Sequence, residues 1–177
     1  MMTDTHRWGA DARDVARIFP CDALVPTPDD ALFRAVDVGA PAATVFRWLC
    51  QLKVAPYSWD WIDNLGRESP RHLIAGLEQL AVGQTFMVTF GLASFERDRH
   101  LTLRLERWFW LYGHAALTYV TDDHGDGSSR LVVKVVLRYP RLRAPLYRKI
   151  GPALDLVMMR KQLLTIKALA EGSARSA

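Results

Sequence analysis

The C-terminal part of the sequence predicts one long helix that follows a series of strands, and this order restricts the fold strongly. From about residue 144 to residue 170, apolar residues recur at helical spacing. The predicted apolar face consists of Ile150, Leu154, Val157, Leu164 and Ala168. Lys161 interrupts this face, and Pro152 is expected to kink the helix or to mark its true first turn. A continuous helix of this length would be about 40 Å long, enough to cross a small sheet.

Strand patterns fill the region between about residues 82 and 139. Leu101, Leu103 and Leu105 alternate with polar residues, as in a sheet with one face in water. The connector 122–129 is rich in Asp, Gly and Ser and predicts a hairpin. The predicted strands are 84–90, 95–105, 107–121 and 130–139.

The region before these strands predicts one more strand and several helices. Residues 31–38 read as a strand, and 41–53 as a helix with Pro41 in its first turn. Short helices are expected near Ser58 and Ser69, where a serine can cap the first turn. The element order predicts an α+β fold with the long helix laid across an antiparallel sheet.

The length and composition fit one folded domain. A chain of 177 residues is long enough for one domain, and 50% hydrophobic residues argue against intrinsic disorder. Residues 1–30 contain three prolines and are expected to form an irregular lead-in packed on the domain. The domain itself is predicted to cover residues 31–172.

The charge pattern bears on the choice of partners. The net charge of +4 is a mild excess, so we expect no nucleic-acid partner. Its densest cluster, the basic patch, consists of Arg138, Arg141, Arg143, Arg148 and Lys149. A module that meets phosphates or an anionic membrane through this patch is the weakest of three functional alternatives. No stretch approaches the roughly 20 apolar residues of a membrane span.

Cofactor and metal signatures do not occur in the sequence. The five histidines show no metal-ligand spacing, and there is no phosphate-binding loop or dinucleotide fingerprint. Cys21 and Cys50 are too few for a disulfide framework, which favours a cytoplasmic protein with two inert thiols. We therefore expect neither a metal nor a cofactor. The sequence does not indicate an oligomeric state.

The stretch from Tyr57 to Asn64 is the most distinctive candidate site. Asp60 and Asp63 are three residues apart, so they share one helix face. Two carboxylates held close together raise the pKa of one of them, which suits proton transfer near neutral pH. Alternatively, Asp60 only stabilises the helix dipole after a cap at Ser58. Trp59 and Trp61 diverge on a helix, so one of them is expected to border a cavity.

Together with Trp8-Gly9-Ala10 and the helix around Trp48, this stretch resembles the SRPBCC superfamily. That group includes StAR-related lipid-transfer domains and polyketide cyclases, and the likeness is closest to a bacterial branch. It covers nearly the whole chain. The resemblance implies a helix-grip fold, in which a curved antiparallel sheet wraps around the long C-terminal helix and encloses an apolar cavity.

The resemblance also implies where a ligand would lie. Inward-facing residues of the sheet and of the long helix would line the cavity, although each of them also suits a packed core. The expected ligand-binding residues are Trp48, Trp59, Trp61, Phe86, Val88, Leu103, Leu117, Tyr119, Val133, Val135, Leu137, Leu154, Val157 and Met158.

Two main functions remain open. The protein is either a binder or carrier of a hydrophobic small molecule, polyketide-like or lipid-like, or a cofactor-free cyclase, aromatase or dehydratase. In the enzyme, Tyr57, Asp60 or Asp63 would move protons while the cavity holds the substrate in a reactive fold.

Overall fold

The computed structural model describes residues 5–58, 68–107, 113–141 and 144–176. Within these residues, seven strands form one curved, unclosed sheet. The strands are β1 (Arg7–Trp8), β2 (Asp30–Val38), β3 (Thr85–Phe86), β4 (Phe90–Glu96), β5 (His100–Leu105), β6 (His114–Asp123) and β7 (Ser129–Arg138). Their order in the sheet is β1-β2-β7-β6-β5-β4-β3, and all neighbours are antiparallel except β1 and β2.

The helices complete the fold on both sides of this sheet. They are α1 (Ala12–Ala16), α2 (Ala42–Cys50) and α3 (Ala144–Arg175), with 3-10 turns at Pro20–Ala23 and Gln51–Lys53. Asp11 caps α1 by accepting hydrogen bonds from the backbone N–H groups of residues 13 and 14. The long helix α3 continues through Pro152. It packs against the sheet and α2, so the predicted α+β helix-grip fold is confirmed.

The main core lies between the sheet and one face of α3. That face contributes Met159, Leu163, Ile166 and Ala170, which are buried against strand and α2 side chains. Trp48 from α2 is enclosed in the same core, and its indole N–H donates a 3.1 Å hydrogen bond to Ser173 Oγ. Sheet, α2 and the C-terminal half of α3 therefore form one packed unit.

The predicted apolar face of α3 is wrong, because it is the face turned away from the sheet. Leu154 and Val157 are exposed, whereas the buried face includes the polar residues Asp155 and Gln162. The helix is apolar on two opposite sides, so residue spacing alone does not reveal which side contacts the sheet. Asp155 and Gln162 are tolerated on the buried face because side chains of β2 and β6 form hydrogen bonds with them.

A second difference concerns the strands around Val88. The predicted strand 84–90 is two strands separated by a turn, in which Met87 and Val88 have φ values of 43° and 65°. Val88 is therefore exposed and does not face the core. The predicted strand 95–105 is likewise divided, since β4 and β5 form a hairpin. Turns with positive φ usually contain Gly, Asn or Asp, and neither position has one.

The region after Ser69 also differs from its prediction. Residues 68–82 form turns and irregular backbone where a short helix was expected. Ser69 and Arg71 are instead part of the surface cleft described below.

The N-terminal segment covers the outer face of the sheet, opposite α3. Phe19, Cys21 and Val25 are buried there against side chains of β2, β6 and β7, which together form a second core cluster. Arg130 on β7 binds Asp14 and Asp37 at 2.6 Å each, which ties α1 to the sheet. Both faces of the central strands are consequently covered. No helix in the described part of the chain is long and apolar enough to cross a membrane.

Candidate functional site

A cleft of about 430 Å³ lies between α3 and the segments 57–58 and 69–71. This volume is within the range of small-molecule sites. One wall comes from Tyr57, Ser58, Ser69 and Arg71, and the other from Lys161, Leu164, Thr165, Ala168 and Leu169. The α3 wall follows helical spacing, with 161, 164, 165 and 168 on one face.

The position of Tyr57 is fixed from several directions. Its backbone has a φ of 55°, a conformation that a bulky residue adopts only when its surroundings impose it. Its ring packs edge-on against Trp48, with 6.0 Å between the ring centroids, and the residue is buried. Tyr57 therefore joins the core to the cleft wall.

The cleft combines apolar surface with positive charge. Leu164, Ala168 and Leu169 provide the apolar surface, while Arg71 and Lys161 are cations, and none of the described residues that line the cleft is acidic. The Thr165 hydroxyl donates to the Lys161 carbonyl oxygen at 2.8 Å, so its proton is committed to the helix backbone. Such a surface suits a small molecule that has an apolar body and an acidic group.

A buried hydrogen-bond network supports the wall that contains Tyr57. The Gln162 amide donates to the Pro56 carbonyl oxygen at 2.6 Å, and its Oε1 accepts from the Tyr119 hydroxyl at 2.6 Å. Burial raises the pKa of Tyr119, and the Asp155 carboxylate raises it further. Tyr119 thus stays a neutral donor. Through Gln162, the central strand β6 positions the residue that precedes Tyr57.

A buried ion pair lies one helical turn or more from the cleft. The guanidinium of Arg34 on β2 is fully buried and donates to Asp155 Oδ2 at 2.7 Å. It also donates to the carbonyl oxygens of Phe33 and Thr5, at 2.9 and 2.8 Å. Burial raises the pKa of Asp155 to about 6, and the Arg34 guanidinium opposes this rise. Because Arg34 binds the chain's own carboxylate, the pair is part of the core.

The expected site residues that the structure describes lie in four environments, namely the cleft, the packed core, half-buried positions and the exposed surface. Tyr57 lines the cleft, and Asp60, Asp63, Trp59 and Trp61 lie outside the described residues. Several of the others belong to the packed core between sheet and helix, namely Trp48, Phe86, Leu103, Leu117, Tyr119, Val133 and Val135. Leu137 and Met158 are half-buried, while Val88, Leu154 and Val157 are exposed and do not line an interior cavity.

Sequence reasoning missed most of the residues that line the cleft. The sequence could have drawn attention to Lys161, because this residue interrupts an otherwise apolar face of the predicted helix. It could not have drawn attention to Arg71, because Arg71 lies in an irregular segment that sequence patterns assigned to a helix. No group of three His, Cys, Asp or Glu side chains able to hold a metal ion occurs in the described ranges.

Comparison with known proteins identifies the fold. No protein-family model matches the sequence, and no curated protein matches it. The chain is similar in structure to TTHA0849 from Thermus thermophilus, with 14% identity over 81% of this chain and 99% of that one, at a TM-score of 0.54. It is also similar to the Zhui aromatase/cyclase from Streptomyces sp. R1128, with 14% identity over 82% and 93% of the two chains, at 0.50.

A third similar structure is the di-domain ARO/CYC StfQ of the steffimycin biosynthetic pathway. The match has 11% identity and a TM-score of 0.52, and it covers 82% of this chain and 51% of StfQ. At these identities the likeness concerns the fold. The chain has the helix-grip fold.

Proposed function

We propose that this protein binds a small amphipathic molecule, with an apolar body and an acidic group, in the cleft between α3 and residues 57–58 and 69–71. The observation that carries the proposal is the lining of the cleft, where the two cations Arg71 and Lys161 border an apolar surface of α3. In this proposal the protein is a binder or carrier that shields the apolar body of its ligand from water.

The arrangement supports recognition in two parts. The side chains of Leu164, Ala168 and Leu169 would remove apolar ligand surface from water, which favours binding. Arg71 and Lys161 select the acidic end, since a guanidinium or ammonium group binds a carboxylate more strongly than a neutral oxygen.

The shared fold guides the choice of ligands to test. Because aromatase/cyclases have this fold, aromatic polyketide-like acids are reasonable first probes beside lipid-like acids. We choose 1-hydroxy-2-naphthoate and laurate to represent the two classes, and 1-naphthol as an uncharged aromatic control.

Filling the cleft tests the proposal. Ala168 lines the cleft and Ala153 is an exposed residue of the same helix outside it, so Ala168→Trp and Ala153→Trp form a matched pair. Titration calorimetry with each acid should show at least about a tenfold loss of affinity in Ala168→Trp and less than about a twofold change in Ala153→Trp. The proposal fails if Ala168→Trp binds both acids as tightly as the wild type, or if neither acid binds.

A cyclase or dehydratase acting on such a ligand is the second candidate. The observation that favours it is Tyr57, a residue of the cleft lining whose backbone has a positive φ. Such strained residues are concentrated at functional sites. Asp60 and Asp63 follow it within six residues of the sequence. In an enzyme, Tyr57→Phe should lower turnover by about 100-fold while leaving ligand affinity within about twofold, whereas a carrier would show no turnover to lose.

A further inference from the structure

The outward face of α3 carries a row of exposed apolar side chains that we call the outer stripe. It consists of Leu146, Ile150, Leu154, Val157 and Leu164. Their exposed fractions run from 38% to 60%, which is high for large apolar residues on one face of a helix. From residue 146 to residue 164 the stripe is about 27 Å long. Its midpoint lies on the side of the helix opposite the buried residues Met159, Leu163 and Ile166.

Positive charge accompanies the stripe. Lys161 interrupts it, and Lys149 and Arg160 are exposed along one edge. The Arg160 guanidinium lies over the Trp8 ring, 5.5 Å from its centroid. Between residues 144 and 170 the single acid is Asp155, which is on the buried side and bound to Arg34. The exposed residues Arg138 and Arg141 add charge near the start of the helix.

A second copy of this chain is a poor occupant of the stripe. Positions 147, 150, 154, 157, 161, 164 and 168 follow the alternating spacing of a coiled-coil seam. Pairing two such seams would bring Lys149, Arg160 and Lys161 of each copy into one interface. Repulsion between these like charges opposes that association.

We propose that the outer stripe binds the surface of an anionic lipid bilayer, with its apolar side chains among the acyl chains and its cations at the headgroups. Helices with an apolar face and Lys or Arg along its edges bind membranes in this way, and the attraction grows with anionic lipid content. This goes beyond the binding of a small molecule in the cleft, because Leu146, Ile150, Leu154 and Val157 do not line the cleft.

The shape of the stripe favours a bilayer over a protein partner. Its side chains project from a helix whose first turns are largely exposed, since Pro145, Leu146, Arg148, Lys149 and Ile150 all face solvent. A fluid lipid surface conforms to such a ridge. A protein partner would need a complementary groove of its own.

Vesicle flotation of the full chain tests the proposal. The variant Leu154→Ser/Val157→Ser removes the centre of the stripe, and Ile18→Ser/Val82→Ser removes apolar residues elsewhere that are at least as exposed. Vesicles of phosphatidylcholine with about one quarter phosphatidylglycerol should bind the wild type and the control variant alike. The stripe variant should bind at least about tenfold more weakly. Raising the salt from about 0.1 M to about 0.5 M should weaken wild-type binding, because the charges are exposed.

Several results would overturn the proposal. One is equal binding of the wild type to vesicles with and without phosphatidylglycerol, or no binding to either. Another is a dimer in sedimentation that Leu154→Ser/Val157→Ser converts to a monomer, which would assign the stripe to a second copy. If the protein binds an acidic amphipathic peptide but no vesicles, the outer stripe is a site for a protein partner. Since neither substituted residue lines the cleft, the stripe variant should still bind the small acids if the proposed function holds.

Discussion

Arg34 and Asp155 form an ion pair 2.7 Å long inside the interface between the sheet and the long helix. The arginine is fully buried and the aspartate largely so. They join β2, near one edge of the sheet, to the middle of α3, and Gln162 makes a similar link from α3 to β6. The position of the long helix on the sheet is thus specified by polar contacts as well as by apolar packing.

Removing the cation of this pair should destabilise the protein in a pH-dependent way. With a folded pKa of about 6, above the ordinary 3.8, the contribution of Asp155 to stability is present near pH 4 and is lost as the pH rises to about 6. Arg34→Met removes the opposing guanidinium, so the pKa rises further and the loss extends to higher pH. The free energy of unfolding should fall by about 3 kcal/mol at pH 8 and by less at pH 5.

Urea denaturation of the wild type and Arg34→Met at both pH values measures this difference. The exposed Arg104 offers a control, since Arg104→Met should change the free energy of unfolding by less than about 0.5 kcal/mol at either pH. An equal cost of Arg34→Met at pH 5 and pH 8 would show that Asp155 does not titrate in this range.

The hydrogen bond between Tyr119 and Gln162 should be visible in a double-mutant cycle. Tyr119→Phe leaves the buried Gln162 Oε1 without its donor, which should cost about 1–3 kcal/mol of unfolding free energy. Gln162→Met should cost more, because the Pro56 carbonyl also loses its donor. The double variant should cost less than the sum of both by at least about 0.5 kcal/mol. Strict additivity would mean that the two side chains do not interact in solution.

The charges of the cleft should decide which ligands bind. Arg71→Gln/Lys161→Gln should weaken the binding of 1-hydroxy-2-naphthoate by at least about tenfold and leave 1-naphthol within about twofold, since the naphthol has no carboxylate. Arg97→Gln/Lys149→Gln removes the same charge from exposed positions outside the cleft and serves as the control. A similar loss for the acid in both variants would indicate an effect of net charge alone.

Two adjacent residues of the N-terminal segment should differ sharply in their contribution to stability. Phe19 is 1% exposed and packs edge-on against Phe33 on the outer face of the sheet, whereas Ile18 is 89% exposed. Phe19→Ala should lower the free energy of unfolding by about 3 kcal/mol, and Ile18→Ala by less than about 0.5 kcal/mol. Thermal and urea denaturation would measure both. A small effect of Phe19→Ala would mean that the segment adds little to the stability of the sheet.

The sequence predicted the architecture because its strongest signals are periodic and local. Alternation in β5 and β7, the hairpin residues before Ser129 and the length of α3 all correspond to elements of the structure. Residue spacing did not predict which side of α3 faces the sheet, because both sides of the helix are apolar. The sides differ in that Asp155 and Gln162, on the buried side, bind Arg34 and Tyr119 of the sheet. The turn at Met87 and Val88 was missed because neither residue type favours a positive φ.

The candidate site was less predictable than the fold. Tyr57 was identified from its motif, but Arg71 and Lys161 reach one cleft from positions 90 residues apart in sequence, and no local pattern records such a meeting. Alternation identified inward-facing strand residues such as Leu103 and Val133, although Val88 is exposed. It does not tell whether an inward side chain meets a ligand or another side chain. That distinction depends on how closely α3 approaches the sheet.

Leu164 belongs both to the wall of the cleft and to the outer stripe. In the two proposals, a ligand in the cleft would change the apolar surface that remains for a bilayer, and a bilayer would change access to the cleft. The two binding equilibria would then be coupled. By thermodynamic reciprocity, whatever factor a bound acid imposes on adsorption to vesicles, the vesicles impose on the affinity for that acid. If both proposals hold, Leu164 makes the loading of the cleft depend on whether the protein is adsorbed to a bilayer.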